Sequence, residues 1–322
     1  MFIRMFALGL AGSLLAAAPT YAQTYPSKPI TIVVPAAPGG VSDVMARLVA
    51  QRLTEAWGQQ VIVENRGGAN HAIGAAMVGK AAPDGHTMMV GAETVFVINP
   101  TLHRGKLPYD VKDFAPVTGL VRINQGLLAH ASFPANTIAE LIALAKQRPG
   151  EITHGTSGIG SAGHINVALL ESMAGIKLAP VHYRGATPAL NDVIAGHIML
   201  TSISLSASAP PYRAGQAKML AVGSAKRLPQ IPEVPAAAET VPGYEAVTWF
   251  GLFTTNGTPR EIIGKINAEV RKLFDDPAFR ERVIVPNMFE SMVSSPEQFA
   301  AFIKTDAEKW SKVLHDADIK ID

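Results

Sequence analysis

Two glycine-rich turns hold the residues best suited to chemistry in this chain: Ala37-Pro38-Gly39-Gly40-Val41-Ser42-Asp43 and Thr156-Ser157-Gly158-Ile159-Gly160-Ser161. Each follows a β-like run (residues 30–35 and 152–156) and leads into an amphipathic helical run, which places it at a helix N-terminus. Such a terminus presents unpaired backbone N–H groups and a partial positive charge. Glycine lets an anion approach that backbone closely. The chemistry on offer is neutral recognition of an anion, and two such turns in separate halves of the chain predict two lobes gripping one small anion. The plainer reading of each turn is a strand-to-helix connection, with Ser42 and Asp43 as ordinary N-terminal helix residues.

Other motifs are incomplete. Gly158-Ile159-Gly160-Ser161-Ala162-Gly163 spells G-x-G-x-x-G, but a dinucleotide site also wants an acidic residue after the next strand, and that stretch reads Leu178-Ala179-Pro180-Val181-His182. Gly155-Thr156-Ser157-Gly158-Ile159 fails the nucleophile elbow because isoleucine stands at its last glycine. The histidines form no H-x-x-x-H pair and no H-E-x-x-H motif. His71, His154, His164 and His182 are the ones near cleft loops. A third turn, Glu64-Asn65-Arg66-Gly67-Gly68-Ala69-Asn70-His71, reads either as a further wall of backbone donors or as a turn in which Asn65 and the glycines supply positive φ and Glu64 pairs with Arg66.

These turns need a scaffold, and the chain alternates strand-like and helical runs throughout, which predicts α/β lobes with mainly parallel sheets. Residues 42–57 carry Val44, Leu48, Val49 and Leu53 at helical spacing, one buried face. Residues 228–243 hold Pro229, Pro232, Pro235 and Pro242 and read as extended connection. Thr258-Pro259-Arg260-Glu261 and Ser295-Pro296-Glu297-Gln298 read as capping boxes opening two C-terminal helices. Packed back on the first lobe, those helices make it discontinuous: residues 23–124 with 248–322, against 125–247 for the second lobe. The chain then crosses twice, near residues 121–125 and 245–249, and two crossings make a hinged clamshell.

At 322 residues, two domains are expected rather than one, and with 48% hydrophobic and 17% charged residues disorder is excluded. A net charge of +2 with no basic run excludes a nucleic-acid partner of the usual kind. Residues 1–22 read as a secretory leader: Arg4, an apolar stretch, then Thr20-Tyr21-Ala22 as a cleavage site after Ala22. The chain has no cysteine, which excludes disulfides, thiolate metal sites, a cysteine nucleophile and a lipid anchor at the cut. The expectation is an exported, soluble protein.

With these residues assembled, the chain resembles the Bug-type solute-binding proteins of tripartite tricarboxylate transporters. The marks are Tyr25-Pro26-Ser27-Lys28-Pro29-Ile30, Pro38-Gly39-Gly40 with Asp43, Val63-Glu64-Asn65-Arg66, Ala82-Pro83-Asp84-Gly85 and Ile98-Asn99-Pro100. Further on come Gly158 with Gly160-Ser161 and His164, Tyr183-Arg184-Gly185, Leu190 with Asp192 and Gly196, Leu220-Ala221-Val222 and Trp249-Phe250-Gly251. The resemblance implies an α/β, periplasmic-binding-protein-like (type II) clamshell. It also implies a monomer in the periplasm that captures a small organic mono- or dicarboxylate, aliphatic or aromatic, without a cofactor or metal, and delivers it to a two-component membrane permease. Carried over, the ligand-binding residues are Gly39, Gly40, Ser42, Asp43, Gly68, Ala69, Asn70 and His71 from the first lobe. The second lobe contributes Thr156, Ser157, Gly158, Gly160, Ser161 and His164, with Asp192 facing the ligand's other end. The chain departs from the family pattern at Gly67, at Asn70-His71, at His154 (often aromatic) and at His182 (often proline). His71, His154, His182, Glu93 and Phe96 are the residues placed to tune the ligand. Two other functions use the same residues: a sensor presenting a ligand to a signalling partner, or a secreted enzyme using His164 or His182 with Asp192.

Overall fold

The structure is a computed structural model and describes residues 25–103 and 105–316. The expected leader and its cleavage site lie outside the described residues. The first series of elements is β1 (Ile30–Val34), α1 (Val41–Trp57), β2 (Val61–Asn65), α2 (Ala72–Gly79) and β3 (Thr87–Ala92). A π turn, Thr94–Ile98, then leads through the short α3 (Asn99–Leu102) to the long β4 (Phe114–His130). The second series is α4 (Ile138–Gln147), β5 (Thr153–Thr156), α5 (Ala162–Ala174), β6 (Ala179–His182), α6 (Ala186–Ala195), β7 (Leu200–Ser204), α7 (Leu205–Arg213) and β8 (Ala217–Val222). After the proline-rich connection come β9 (Val247–Thr255), α8 (Arg260–Asp275), α9 (Pro277–Phe279), β10 (Phe289–Ser291) and α10 (Pro296–Asp316). None of the helices among the described residues is long and apolar enough to cross a membrane.

The strands form two half-sheets that share β4. In the first the order is β2-β1-β3-β9-β4, with β10 on the far side of β4. The strands β2, β1 and β3 are parallel, and β9 enters antiparallel between β3 and β4. In the second the order is β6-β5-β7-β4-β8, again three parallel strands followed by an antiparallel one. The first expected crossing, near residues 121–125, lies inside β4, which is one continuous strand. Its partner changes within a single step: Asn124 pairs with Val247, and Gln125 pairs with Ser204. The crossing therefore keeps its backbone groups bonded instead of leaving them to water.

Helix burial follows the apolar stripes, with one shift of face. On α1, Met45, Ala46, Val49, Ala50 and Leu53 are buried while Val44, part of the expected stripe, is exposed. The alanines let the helix lie close to β1, and Val44 turns outward. The C-terminal helix α8 buries Ile263, Ile266, Val270 and Phe274 in the same cluster as α1, and Arg52 pairs with Glu269 across them at 2.6 Å. The α10 helix contributes Phe299, Trp310 and Leu314 to a cluster with Phe96, Trp249 and Phe253, and it also touches α5.

Of the two expected capping boxes, one forms. Gln298 N donates to Ser295 Oγ at 3.2 Å and Ser295 N donates to Gln298 Oε1 at 3.0 Å. At the other, Thr258 donates its hydroxyl to the Thr255 carbonyl at 2.7 Å, and α8 starts after Pro259 with no side-chain cap. The preceding turn competes for the same hydroxyl and wins. The helix α7 was not legible in the sequence because it contains Pro210 and Pro211.

Candidate binding site between the half-sheets

A cleft of about 200 Å³ lies between the two half-sheets. Val41, Ile123, Thr248 and Phe250 line it from the first side, and Ser157, Ala162, Gly163, Ala186 and residues 201–204 from the second. Gln125 stands at the crossing, where its N–H donates to Ala246 O, its carbonyl accepts from Gly223 N, and its amide reaches Thr248 Oγ1. A larger groove beside Phe96 and α10 carries none of the glycine-turn residues.

Four helices begin at this cleft. Val41 is the first residue of α1, Ala162 and Gly163 the first two of α5, Ala186 the first of α6, and Ser204 directly precedes α7. No side chain caps α1, α6 or α7, so these N-termini keep their orphan donors and partial positive charge for whatever enters. The hydroxyl-bearing residues Ser157, Thr201, Ser202, Ser204 and Thr248 stand among them, and no Lys, Arg or His lines the wall. A neutral wall avoids leaving an unpaired cation buried when the site is empty. Gly163 is required for the approach: a Cβ there would lie 2.5 Å from the Ser202 carbonyl oxygen. The third glycine of the nucleotide-like spelling thus serves helix-to-strand packing.

The turns themselves are organised differently from the sequence reading. Gly39, at φ +87°, donates its N–H to Asp43 Oδ2 at 3.0 Å. Asp43 also accepts two bonds from Arg47, at 3.1 and 3.0 Å, and one from Asn65 at 3.0 Å. Burial pushes the Asp43 carboxyl up, but the bonds from Arg47, Gly39 and Asn65 outweigh it and hold it below its ordinary value. Asp43 therefore braces the turn instead of facing the cleft, and Gly39 has no free donor. Gly40 sits at φ −76° as the residue before α1, and Ser42 is buried in its first turn.

In the second turn Gly158 (φ +133°) donates to Thr156 Oγ1 at 3.3 Å, and Gly160 (φ +71°) donates to His164 Nδ1 at 3.1 Å. Thr156 Oγ1 lies 2.8 Å from His182 Nδ1, and Ser161 caps α5 through the His164 N–H at 3.4 Å. Three glycine donors assigned to a ligand are thus already bonded, and Thr156 and His164 brace the turn rather than lining the cleft. Ser157 is the one expected residue on the wall itself. The signal missed in the sequence was Thr201-Ser202-Ile203-Ser204, a row of hydroxyls at the end of a parallel strand.

The third turn stands beside the first: Asn65 Nδ2 donates to Ala36 O, and a Cβ on Gly74 would meet Pro35 at 2.8 Å. Its left-handed backbone falls on Gly68, Ala69, Asn70 and His71, not on Asn65. Asn70 Nδ2 donates to Oδ1 of the buried Asn99 at 2.9 Å, and Asn99 Nδ2 donates to the Asn70 backbone carbonyl at 2.7 Å, which holds this unfavourable conformation in place. His71 Nδ1 is buried without a protein partner, and burial lowers its pKa. Glu64 pairs with Arg66. None of these residues is on the cleft wall.

Asp192 stands apart from the cleft wall. It lies six residues beyond Ala186, about 9 Å along α6 at the usual rise per residue. Its carboxylate accepts from Tyr183 OH at 2.6 Å and faces His197 Nδ1 at 3.3 Å. The N-terminus of α6 meets the cleft, and Asp192 belongs to the other end. Among the described residues no group of three His, Cys, Asp or Glu side chains could hold a metal ion.

Comparison with known proteins agrees with this architecture. Residues 45–319 match the tripartite tricarboxylate transporter family receptor, TctC. The structure of R. palustris Rpa4515 with adipate is similar at TM-score 0.83 and 35% identity, covering 92% of this chain and 99% of that one. MatC (Rpa3494) from Rhodopseudomonas palustris with bound malate is similar at TM-score 0.78 and 29% identity, covering 90% and 100%. Protein BugT of Bordetella pertussis is 30% identical over 307 residues, 95% of this chain and 94% of its own length. The fold is a periplasmic-binding-protein clamshell, two α/β lobes joined by a two-segment hinge. Its relatives are periplasmic solute-binding proteins, not enzymes. By sequence and fold, this chain belongs to the tripartite tricarboxylate transporter receptors, as a Bug-type member.

Proposed function

We propose that this chain is a periplasmic receptor that closes its two lobes on a small organic carboxylate and delivers it to a tripartite tricarboxylate-type permease. The observation that carries the reading is the meeting of four helix N-termini and five hydroxyl-bearing residues at one cleft with no cationic side chain. Adipate and malate in two similar proteins support the ligand class. The lobe division, residues 23–124 with 248–322 against 125–247, is supported by the change of partner on β4 between Asn124 and Gln125. Export through a leader cleaved after Ala22, and action as a monomer with a two-component permease, complete the proposal.

Hydrogen bonds to a charged group contribute roughly 1.5–3 kcal/mol each. Four or five of them, less the ordering cost of closure, give roughly −8 kcal/mol, or about micromolar affinity. Val41, Ile123, Ile203 and Phe250 offer an apolar wall for the ligand's carbon body. A cavity of about 150 Å³ accepts benzene, so the cleft admits a ring-sized acid as well as an aliphatic one. A thermal-shift screen of aliphatic and aromatic carboxylates tests this. Ligand at a hundred times its Kd should add about 2.7 kcal/mol of stability. No shift with any carboxylate, or turnover of one, sinks the reading.

A further inference from the structure

The second glycine turn is held by a side chain that titrates. Gly160 is buried and donates its N–H to His164 Nδ1 at 3.1 Å. A backbone N–H can only donate, so His164 must present a lone pair at Nδ1 and carry its proton at Nε2. The bond lies at the opening of α5, whose Ala162 and Gly163 line the cleft. The ring of His182, from β6, meets His164 edge-on with centroids 5.1 Å apart. His154, from β5, is buried nearby with its Nδ1 unpartnered. The titratable groups that act on these rings are members of the same cluster: His182 on His164, and both of them on His154. Tyr183, whose carbonyl adjoins Gly158, directs its hydroxyl away to Asp192.

We propose that His164 is a positioning residue for the second lobe's half of the site. Neutral, it fixes Gly160 and the start of α5 in the binding arrangement; protonated, it releases them, so the grip on an anion weakens as pH falls. The inference rests on reading the cleft as a carboxylate site. Protonation replaces the Nδ1 lone pair with an N–H that points at the Gly160 N–H. The bond must break, and a buried donor is left unpaired. Burial, and then the like charge of His182, hold His164 below the ordinary histidine value. The neutral, bracing form is therefore the resident one near neutrality.

NMR on the ligand-free, ¹⁵N-labelled protein tests the first half. The His164 ring should show an unprotonated Nδ1 at pH 7.5, and the Gly160 amide signal should shift with the same midpoint as the His164 titration. In H164N, whose Oδ1 can accept from Gly160 at every pH, that amide step should vanish. Calorimetry with adipate tests the second half: from pH 7.5 to 5.0 affinity should fall about tenfold further in the wild type than in H164N, whose profile carries the ligand's own titration, and at pH 7.5 it should be weaker in H164L than in H164N. A proton on Nδ1 at pH 7.5, a Gly160 amide blind to the titration, or an equal fall of affinity in wild type and H164N overturns the proposal. If no carboxylate binds at either pH, the receptor reading fails, and the amide titration still decides the role of His164.

Discussion

The two lobes share a strand order, yet each secures its glycine turn with opposite chemistry. In the first lobe a carboxylate does it: Asp43 accepts from Gly39, Arg47 and Asn65, and those partners keep it ionised. In the second lobe neutral acceptors do it: Thr156 for Gly158 and His164 for Gly160, with Ser161 capping the helix that follows. The same difference recurs deeper down. The first lobe buries an acid, Glu93, whose Oε2 accepts from Trp249 N at 3.0 Å, and burial pushes its pKa up to about 8. The second buries a base, His154, which burial, then His164 and His182, push down to about 4. One backbone design can thus tolerate either sign of titration, provided the cleft wall itself stays neutral.

The largest effect expected from this contrast is on stability against pH. Folded His154 stays neutral while the unfolded chain takes up a proton below about 6.5, so stability is lost as pH falls from about 6.5 to 4. At about 1.4 kcal/mol per pKa unit this amounts to about 3 kcal/mol. Glu93 acts in reverse: the folded form keeps its proton while the unfolded one loses it above about 4.5, so stability is lost as pH rises towards 8. Urea melts across pH 4–8.5 should show the acid-side loss shrink in H154F, with His71 and His164 carrying the remainder, and the alkaline-side loss shrink in E93Q. A parent slope unchanged in its own variant would remove that residue from the account.

Next in size is Gly40→Asp. Gly40 has φ −76° and its added Cβ meets nothing nearer than 4.0 Å, so the fold should stand. A carboxylate at the start of α1 repels the ligand's own, and affinity should drop about a hundredfold, roughly 2.7 kcal/mol, with Tm nearly unchanged. Gly160→Asp is the less clean counterpart, because φ +71° adds backbone strain. Equal affinity for wild type and Gly40→Asp would count against an anion at α1.

Gly163→Ala should cost about 2 kcal/mol by overpacking, read as a lower urea midpoint, because its methyl group would lie 2.5 Å from Ser202 O. Gly40→Ala is the matched control in the first lobe, with little change expected. The smallest effect is Ser161→Ala, which removes the α5 cap at about 1 kcal/mol. The α1 helix has no cap to lose, so a larger loss from Gly40→Ala than from Ser161→Ala would reverse the comparison.

Much of the fold was legible. The two turns stand where strand runs meet helical runs, the Ser295 box forms, and the family's marks lie along the chain in order. The site was legible only in its neighbourhood. Gly40, Ser42 and Ser161 flank wall residues, but Val41, Ala162 and Ala186 carry no chemical signal in their side chains, since what they offer is backbone at a helix start. The place of Asp192 was not legible, because a carboxylate in a matching motif says nothing about which end of its helix meets the cleft. Nor were the partners of Asp43, because a residue bracing a turn and one touching a ligand look alike in a linear motif.

What the sequence determined by itself is local: where strands stop and helices start, where glycine permits positive φ, and that no thiol chemistry is present. These depend on neighbours a few residues apart, and the amino-acid order states them directly. Only the tertiary structure decided which N–H groups are already bonded and which remain open, because their competing acceptors are side chains such as His164 and Asp43, whose reach depends on packing. The convergence of α1, α5, α6 and α7 on one cleft was likewise decided there. It depends on strand order and on β4 changing partners between Asn124 and Gln125, a pairing of residues far apart in the chain.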